Sequence, residues 1–287
     1  MLNTILSLFL LAGPSASNYD RIVTTIEQIA AQNPGTTKLL TIGISDKGIP
    51  IQALQIGNGP VNTLVVATHH GNEYGSTAVA MGVADALAKK PVDGQTVFVV
   101  PVLNTGGYNQ NNRYESNLNS SFDPNRDYPG PCVSGQSYNL KSTKSLADFI
   151  EQKNIVTSAT LHTFWPAVVY PWGISTSDLS TPNDAQFLKL TKAATEESHY
   201  QVGNNTEVLY PADGTFEDYA YWKHGVWSLL FELGFSHTPD QTAVKNMIDA
   251  NIPGIRRFLE QAPTTRAAQH GFSGKCETRL LQRMWLE

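Results

Sequence analysis

Apolar positions change period repeatedly along this chain, and the changes predict helices and strands in turn. Over residues 19–31 (YDRIVTTIEQIAA) they recur every three or four residues, as on one face of a helix. Residues 38–44 and 49–56 read as the arms of a hairpin, joined by Ser45-Asp46-Lys47-Gly48. Residues 61–68 (VNTLVVAT) are a short, largely apolar run, as expected for a strand covered on both faces, and 97–103 is a second. A small-residue helix is predicted between them over 76–89. Further on, 142–153 reads as a helix, 155–161 as a strand and 185–198 as a helix. Residues 226–233 (VWSLLFEL) form a buried strand holding one acid, and 242–259 is a closing helix. Residues 104–139, rich in Asn, Gly, Pro and Ser, read as one long loop, and a loop of that length in a compact domain is usually functional.

Strands alternating with helices predict a single α/β domain, with a mixed, largely parallel central sheet flanked by helices. In such folds ligands sit outside the carboxyl ends of the strands. The 287 residues, 41% of them hydrophobic, fit one large domain, and neither a repeat nor a linker divides them. A formal charge of −5 without a long basic run excludes a nucleic-acid partner. Residues 5–12 (ILSLFLLA) are apolar and are followed by small residues, the pattern of a secretory signal with a cut near Ser15-Ala16-Ser17. No Lys or Arg precedes that run, and a buried N-terminal helix is the other reading. The run is too short for a bilayer, and no other stretch is long enough, so a soluble mature protein is expected. The expected divisions are therefore 1–17 signal peptide, 18–263 catalytic domain and 264–287 a tail of unassigned role. Cys132 and Cys276 form either one disulfide closing a long loop or two buried thiols.

Candidate chemistry gathers at the predicted strand ends. His70-Gly71-Asn72-Glu73 follows the strand over 61–68, and a His and a Glu three apart can turn toward one cation. His162 directly follows the strand over 155–161. Two imidazoles and a carboxylate are a zinc set that leaves the fourth position to water. Glu232 lies in an apolar strand, where partial burial would raise its pKa toward neutrality and suit it as a general base.

With these residues placed, the chain resembles the zinc carboxypeptidases of the A/B type over nearly its whole length after the signal. His70, Glu73 and His162 fall on that family's metal ligands, which implies one Zn²⁺ per chain. Asn112-Arg113 and Asp123-Pro124-Asn125-Arg126-Asp127 resemble its DxNR segment with the upstream arginine. The resemblance implies that Asn125 and Arg126 hold the substrate's terminal carboxylate, as a guanidinium fork does well. It implies that Arg113 polarises the scissile carbonyl and that Asp123 supports His70 from behind. Tyr210 matches the tyrosine that closes over the bound residue, and Glu232 matches the base. The same register puts Glu217 at the floor of the specificity pocket, where an acid accompanies preference for Lys or Arg; alternatively Glu217 merely favours the start of the helix over 217–223.

The HGNE form of the ligand pair is closer to the regulatory and bacterial branches than to the pancreatic one. The domain begins soon after the signal, so no inhibitory prosegment is expected. The expected activity is removal of a single C-terminal residue by a secreted or periplasmic monomer acting on peptide or protein C-termini. The alternatives are a cell-wall enzyme cutting before diaminopimelate and a non-catalytic binding protein of the same fold. A serine esterase is disfavoured because no Gly-x-Ser-x-Gly occurs.

Overall fold

The structure, a computed structural model, describes residues 16–132, 138–174, 180–268, 271–274 and 276. Most of the expected signal segment lies outside the described residues. Ser17, its last residue, caps α1 (Asn18–Gln32): its hydroxyl accepts from the Asp20 amide, and the Asp20 carboxylate accepts from the Ser17 amide. The hairpin β1 (Thr37–Ile44) and β2 (Pro50–Ile56) follows. Next, β3 (Val61–Ala67), α2 (Tyr74–Lys89) and β4 (Gln95–Val100) make a strand–helix–strand unit. The predicted long loop holds α3 (Thr105–Gln110), the ribbon β5 (Glu115–Ser116) and β6 (Ser121–Phe122), and a 3₁₀ turn at Pro124–Arg126. Beyond it come α4 (Lys141–Gln152), β7 (Thr157–His162), β8 (Ala167–Tyr170), α5 (Asp184–Ala194), β9 (Gln201–Asn204) and α6 (Asn205–Val208). The last elements are α7 (Phe216–His224), β10 (Trp227–Glu232) and α8 (Gln241–Gln261).

Eight strands form one sheet in the order β1-β2-β4-β3-β7-β10-β8-β9. The inner strands β4, β3, β7 and β10 run parallel, while β2 and β8 pair with them antiparallel. Along β3, Val65 and Ala67 face a core shared with α1, α2, α5 and α8, whereas Leu64 and Val66 face one beneath α4 and α7. Both faces are covered, which is why the run reads as apolar without alternation.

The predicted strand over 97–103 stops at Val100; Val102 and Leu103 stay buried after the chain has turned. Strand β7 reaches one residue further than expected, so His162 is its last residue. Cys132 and Cys276 are joined, a bridge across 144 positions of sequence, which decides between the two readings of the cysteines. Among the described residues no helix is long and apolar enough to cross a membrane.

Candidate metal centre and active site

Three adjacent parallel strands end at one edge: Ala67 of β3 pairs with Leu161 of β7, and His162 pairs with Glu232 of β10. Past β3 the chain turns at Thr68, which has a left-handed backbone (φ 62°) that a β-branched residue adopts only under constraint. Its hydroxyl supplies that constraint, bonding the Pro101 carbonyl at 3.1 Å and the Thr77 hydroxyl at 2.6 Å. Gly71 is then forced against α3. A Cβ there would lie 2.2 Å from the Gly107 carbonyl carbon, so no other residue fits between His70 and Glu73 at that position.

This turn brings His70 Nδ1 to 2.7 Å from Glu73 Oε1. His162 Nδ1 lies 3.0 Å from Glu73 Oε2 and 3.2 Å from His70 Nδ1. The three residues are buried, and their ligand atoms all fall within 4.8 Å of one another. Two imidazole nitrogens facing each other across a carboxylate, with the backbone amide of Thr163 also on Glu73 at 3.1 Å, fit one divalent ion of the zinc kind.

The surrounding residues orient this set. Asp123 Oδ1 lies 2.9 Å from His70 Nε2, and its Oδ2 accepts from Arg113 Nε at 3.0 Å and Nη2 at 2.8 Å. Burial alone would raise the Asp123 carboxyl, but His70 and the guanidiniums of Arg126 and Arg113 hold it well below the usual range. Burial likewise opposes charge on His70, yet the carboxylates of Glu73 and Asp123 outweigh it and raise the imidazole. Glu73, also buried, is kept below the ordinary carboxylate range by the two histidines. Asn125 accepts the Phe216 amide at 2.9 Å and so ties the 3₁₀ turn to α7.

Glu232 closes β10 with Oε2 buried and without a hydrogen-bond partner among the described residues. Burial, and then the nearby Glu73, push its carboxyl well above the ordinary range. Arg126 reaches the Tyr210 hydroxyl at 3.4 Å, with its guanidinium 5.9 Å from the centre of that ring. Glu217 lies in the first turn of α7, fully buried, and neither carboxylate oxygen has a partner among the described residues.

A cleft of about 390 Å³ gathers His70, Glu73, Arg113, Tyr210 and Glu232 on one lining. Asp123, Asn125, Arg126, His162 and Glu217 are not on that lining. Sequence reasoning missed Phe164, Trp165 and His237, which line the same cleft. Strand β10 lies between β7 and β8, so the four residues Thr163–Pro166 joining those strands must cross its carboxyl end. That places two exposed aromatic side chains beside Glu232. His237 Nδ1 braces the crossing on Thr163 Oγ1 at 3.1 Å. Only the strand order reveals this, and no local pattern carries it. His69 was also missed: it stacks on His162 at 5.5 Å and bonds the Tyr128 hydroxyl at 3.0 Å.

A sequence model of the zinc carboxypeptidase family matches residues 22–252. The chain belongs to that family. Human carboxypeptidase B is 27% identical over 262 residues, covering 76% of this chain and 62% of that protein. Mouse carboxypeptidase A2 is 27% identical over 255 residues, covering 75% and 61%. The chain thus spans less than two thirds of those relatives. A zinc carboxypeptidase of Saccharothrix mutabilis subsp. capreolus is 22% identical over 299 residues, covering 84% and 68%. Among solved structures, bovine thrombin-activatable fibrinolysis inhibitor in complex with tick carboxypeptidase inhibitor has a TM-score of 0.74 at 19% identity, covering 83% of this chain and 94% of that one. Murein-tripeptide amidase from Escherichia coli O157 has a TM-score of 0.52 at 15% identity, covering 79% and 95%. These likenesses bear out the expected α/β fold.

Proposed function

We propose that this zinc carboxypeptidase family member hydrolyses the last peptide bond of peptides and prefers Lys or Arg as the residue released. The observation that carries the reading is the juxtaposition of a His70–Glu73–His162 donor set with an acid, Glu232, whose buried Oε2 has no partner among the described residues, at the ends of adjacent strands. Zinc, when held by those three residues, supplies Lewis acidity toward water and the scissile carbonyl. Glu232 takes the proton of the attacking water and passes it to the leaving amine. Two of the five N–H groups of Arg113 are engaged by Asp123, which aims the guanidinium so that the rest meet the developing oxyanion. Asn125 and Arg126 receive the terminal carboxylate, and Tyr210 closes over the end residue. Only a chain end satisfies that clamp, which makes the enzyme an exopeptidase.

Glu217 supports the basic preference. A fully buried carboxylate without a partner is costly, and an incoming ammonium or guanidinium would relieve it. The same residue supports a second reading, cleavage before diaminopimelate in cell-wall peptides, since that residue also carries an amine. The Cys132–Cys276 bridge supports export to an oxidising compartment, extracellular or periplasmic.

The test is amino-acid release from peptides differing only in the last residue (Phe, Leu, Lys, Arg, Glu, diaminopimelate), with and without a chelator. Chelator-sensitive release of Lys and Arg is expected. Release of diaminopimelate in preference to Lys favours the cell-wall reading. No release from any peptide overturns the enzyme reading in favour of a binding protein.

A further inference from the structure

The C-terminal tail has no part in the chemistry described so far, yet it and the disulfide are joined to segments that carry the proposed substrate-binding residues. Residues 265–267 are anchored first. Trp227 Nε1 donates to the Thr265 carbonyl at 2.9 Å, Arg266 Nε to the Ile155 carbonyl at 2.8 Å, and the Ala267 amide to the Gly225 carbonyl at 2.8 Å. Further along, Phe272 packs edge-on against Trp172, ring centroids 5.4 Å apart, and Cys276 is bonded to Cys132.

Trp172 and Gly173 form a hub for the residues that would grip a substrate. The Gly173 amide donates to Asp218, next to Glu217, at 2.9 Å. The Gly173 carbonyl accepts from the Ala212 amide at 2.5 Å, in the loop that carries Tyr210. The Trp172 carbonyl accepts from the Thr206 amide at 3.3 Å, in α6. Cys132 follows Arg126 by six positions, and between them the Tyr128 amide donates to the Gly214 carbonyl at 3.1 Å. A circuit therefore runs from the Arg126 segment through the disulfide to the tail, from Phe272 to Trp172, and from Gly173 to the Tyr210 loop and Glu217. One link of it is a reducible bond.

We propose that two tail residues, Phe272 packed on Trp172 and Cys276 bonded to Cys132, act as a strap that positions the substrate-gripping loops of Arg126, Tyr210 and Glu217. The partners of Phe272 and Cys276, Trp172 and Cys132, are neither metal ligands nor Arg113 or Glu232. Loosening the strap therefore weakens the grip on substrate and leaves the chemical step alone. The inference rests on the reading of Arg126, Tyr210 and Glu217 as substrate-binding residues; the positioning of their loops is tested separately by hydrogen exchange.

The experiment compares the full chain with Cys276→Ser, Phe272→Ala and the conservative Phe272→Leu. The intact protein is also treated with a water-soluble trialkylphosphine, because a dithiol would compete for the metal. In that reduction phosphorus gives two electrons to the S–S bond. Water supplies the oxygen of the phosphine oxide and the protons of the two thiols. For a Lys-ended peptide, KM should rise roughly ten- to hundredfold in Cys276→Ser, in Phe272→Ala and in the reduced protein, as loss of binding shared by ground and transition states does. The kcat and the zinc content should hold, and Phe272→Leu should keep most of the original KM. Unchanged KM in all of them, or kcat falling in step with lost zinc or lost fold, overturns the strap. Hydrogen exchange at the Gly173, Ala212 and Tyr128 amides needs no turnover. Faster exchange in Cys276→Ser supports the strap even if no peptide is cleaved, a result that would overturn the activity alone, and unchanged exchange overturns the strap.

Discussion

Two acids at the site are pushed toward opposite charge states by what surrounds them. Glu73 faces two imidazoles and is held charged, whereas Glu232 has no partner on Oε2 among the described residues and is pushed toward its neutral form by burial and by Glu73. Replacing Glu232 by Gln preserves shape but removes the carboxylate proposed to carry the proton. The kcat should fall by at least about 10²–10⁴-fold, with zinc content unchanged by metal analysis. Wild-type turnover in that variant would remove Glu232 from the role of base. Glu217 should show opposite effects on stability and activity. Buried and without a partner among the described residues, it burdens the fold, so Glu217→Leu should raise the melting temperature. The same change should lower kcat/KM for Lys-ended peptides by about 10²-fold or more, because it removes a buried partner for the incoming charge. A variant that is less stable, or that cleaves Lys-ended peptides as before, would show that Glu217 only starts α7.

At the scale of elements, the loop bearing Arg113 and Asp123 is tied down by Glu115 at the start of β5. Its carboxylate meets the Asp46 amide in the β1–β2 turn at 3.2 Å and the Ser142 hydroxyl in α4. Burial pushes the Glu115 carboxyl up to about 7, and Asp46 and Asp127 nearby reinforce this against the two hydrogen bonds. A carboxyl raised in the folded state is stabilising while protonated. Its contribution is complete below the ordinary value near 4.5 and is lost as pH rises to about 7. Glu115 is almost fully buried, so the loss is about 3 kcal/mol without a screening discount. Glu115→Gln stays neutral, so its unfolding free energy relative to wild type should improve by about that amount between pH 4 and pH 8 in urea titrations. A pH-independent difference would mean that the wild-type side chain titrates normally. The elements that carry the metal set were legible because β3, β7 and β10 are buried on both faces and read as apolar runs. Strands β8 and β9 and helix α6, four residues each, were not predicted, because so short a segment shows no period. Helix α3 was hidden in a stretch whose Asn and Gly content reads as turn.

For the molecule as a whole, what the sequence conceals is what distant segments do to each other. His70 and Glu73 could be picked out in the sequence as a pair three apart just past an apolar run, His162 at the end of another and Glu232 as the one acid within a third. Trp165 and His237 could not, because their place depends on β10 lying between β7 and β8. Nor could the pairing of Cys132 with Cys276, which needs both ends of a 144-residue separation to meet. That separation has a thermodynamic consequence distinct from any effect on substrate. Closing a loop so long removes conformational freedom from the unfolded chain, worth about 5 kcal/mol in the chain-entropy account. In a protein of this size each kcal/mol moves the melting temperature by roughly 2–4 °C. Cys276→Ser should therefore melt about 10 °C or more below the intact protein, whereas Phe272→Ala, which leaves the loop closed, should fall by much less. If the two variants melt alike, the bridge acts through the packing of Phe272 on Trp172 and not through the unfolded chain. If Cys276→Ser melts within a degree or two of wild type, the unfolded chain already holds these segments together.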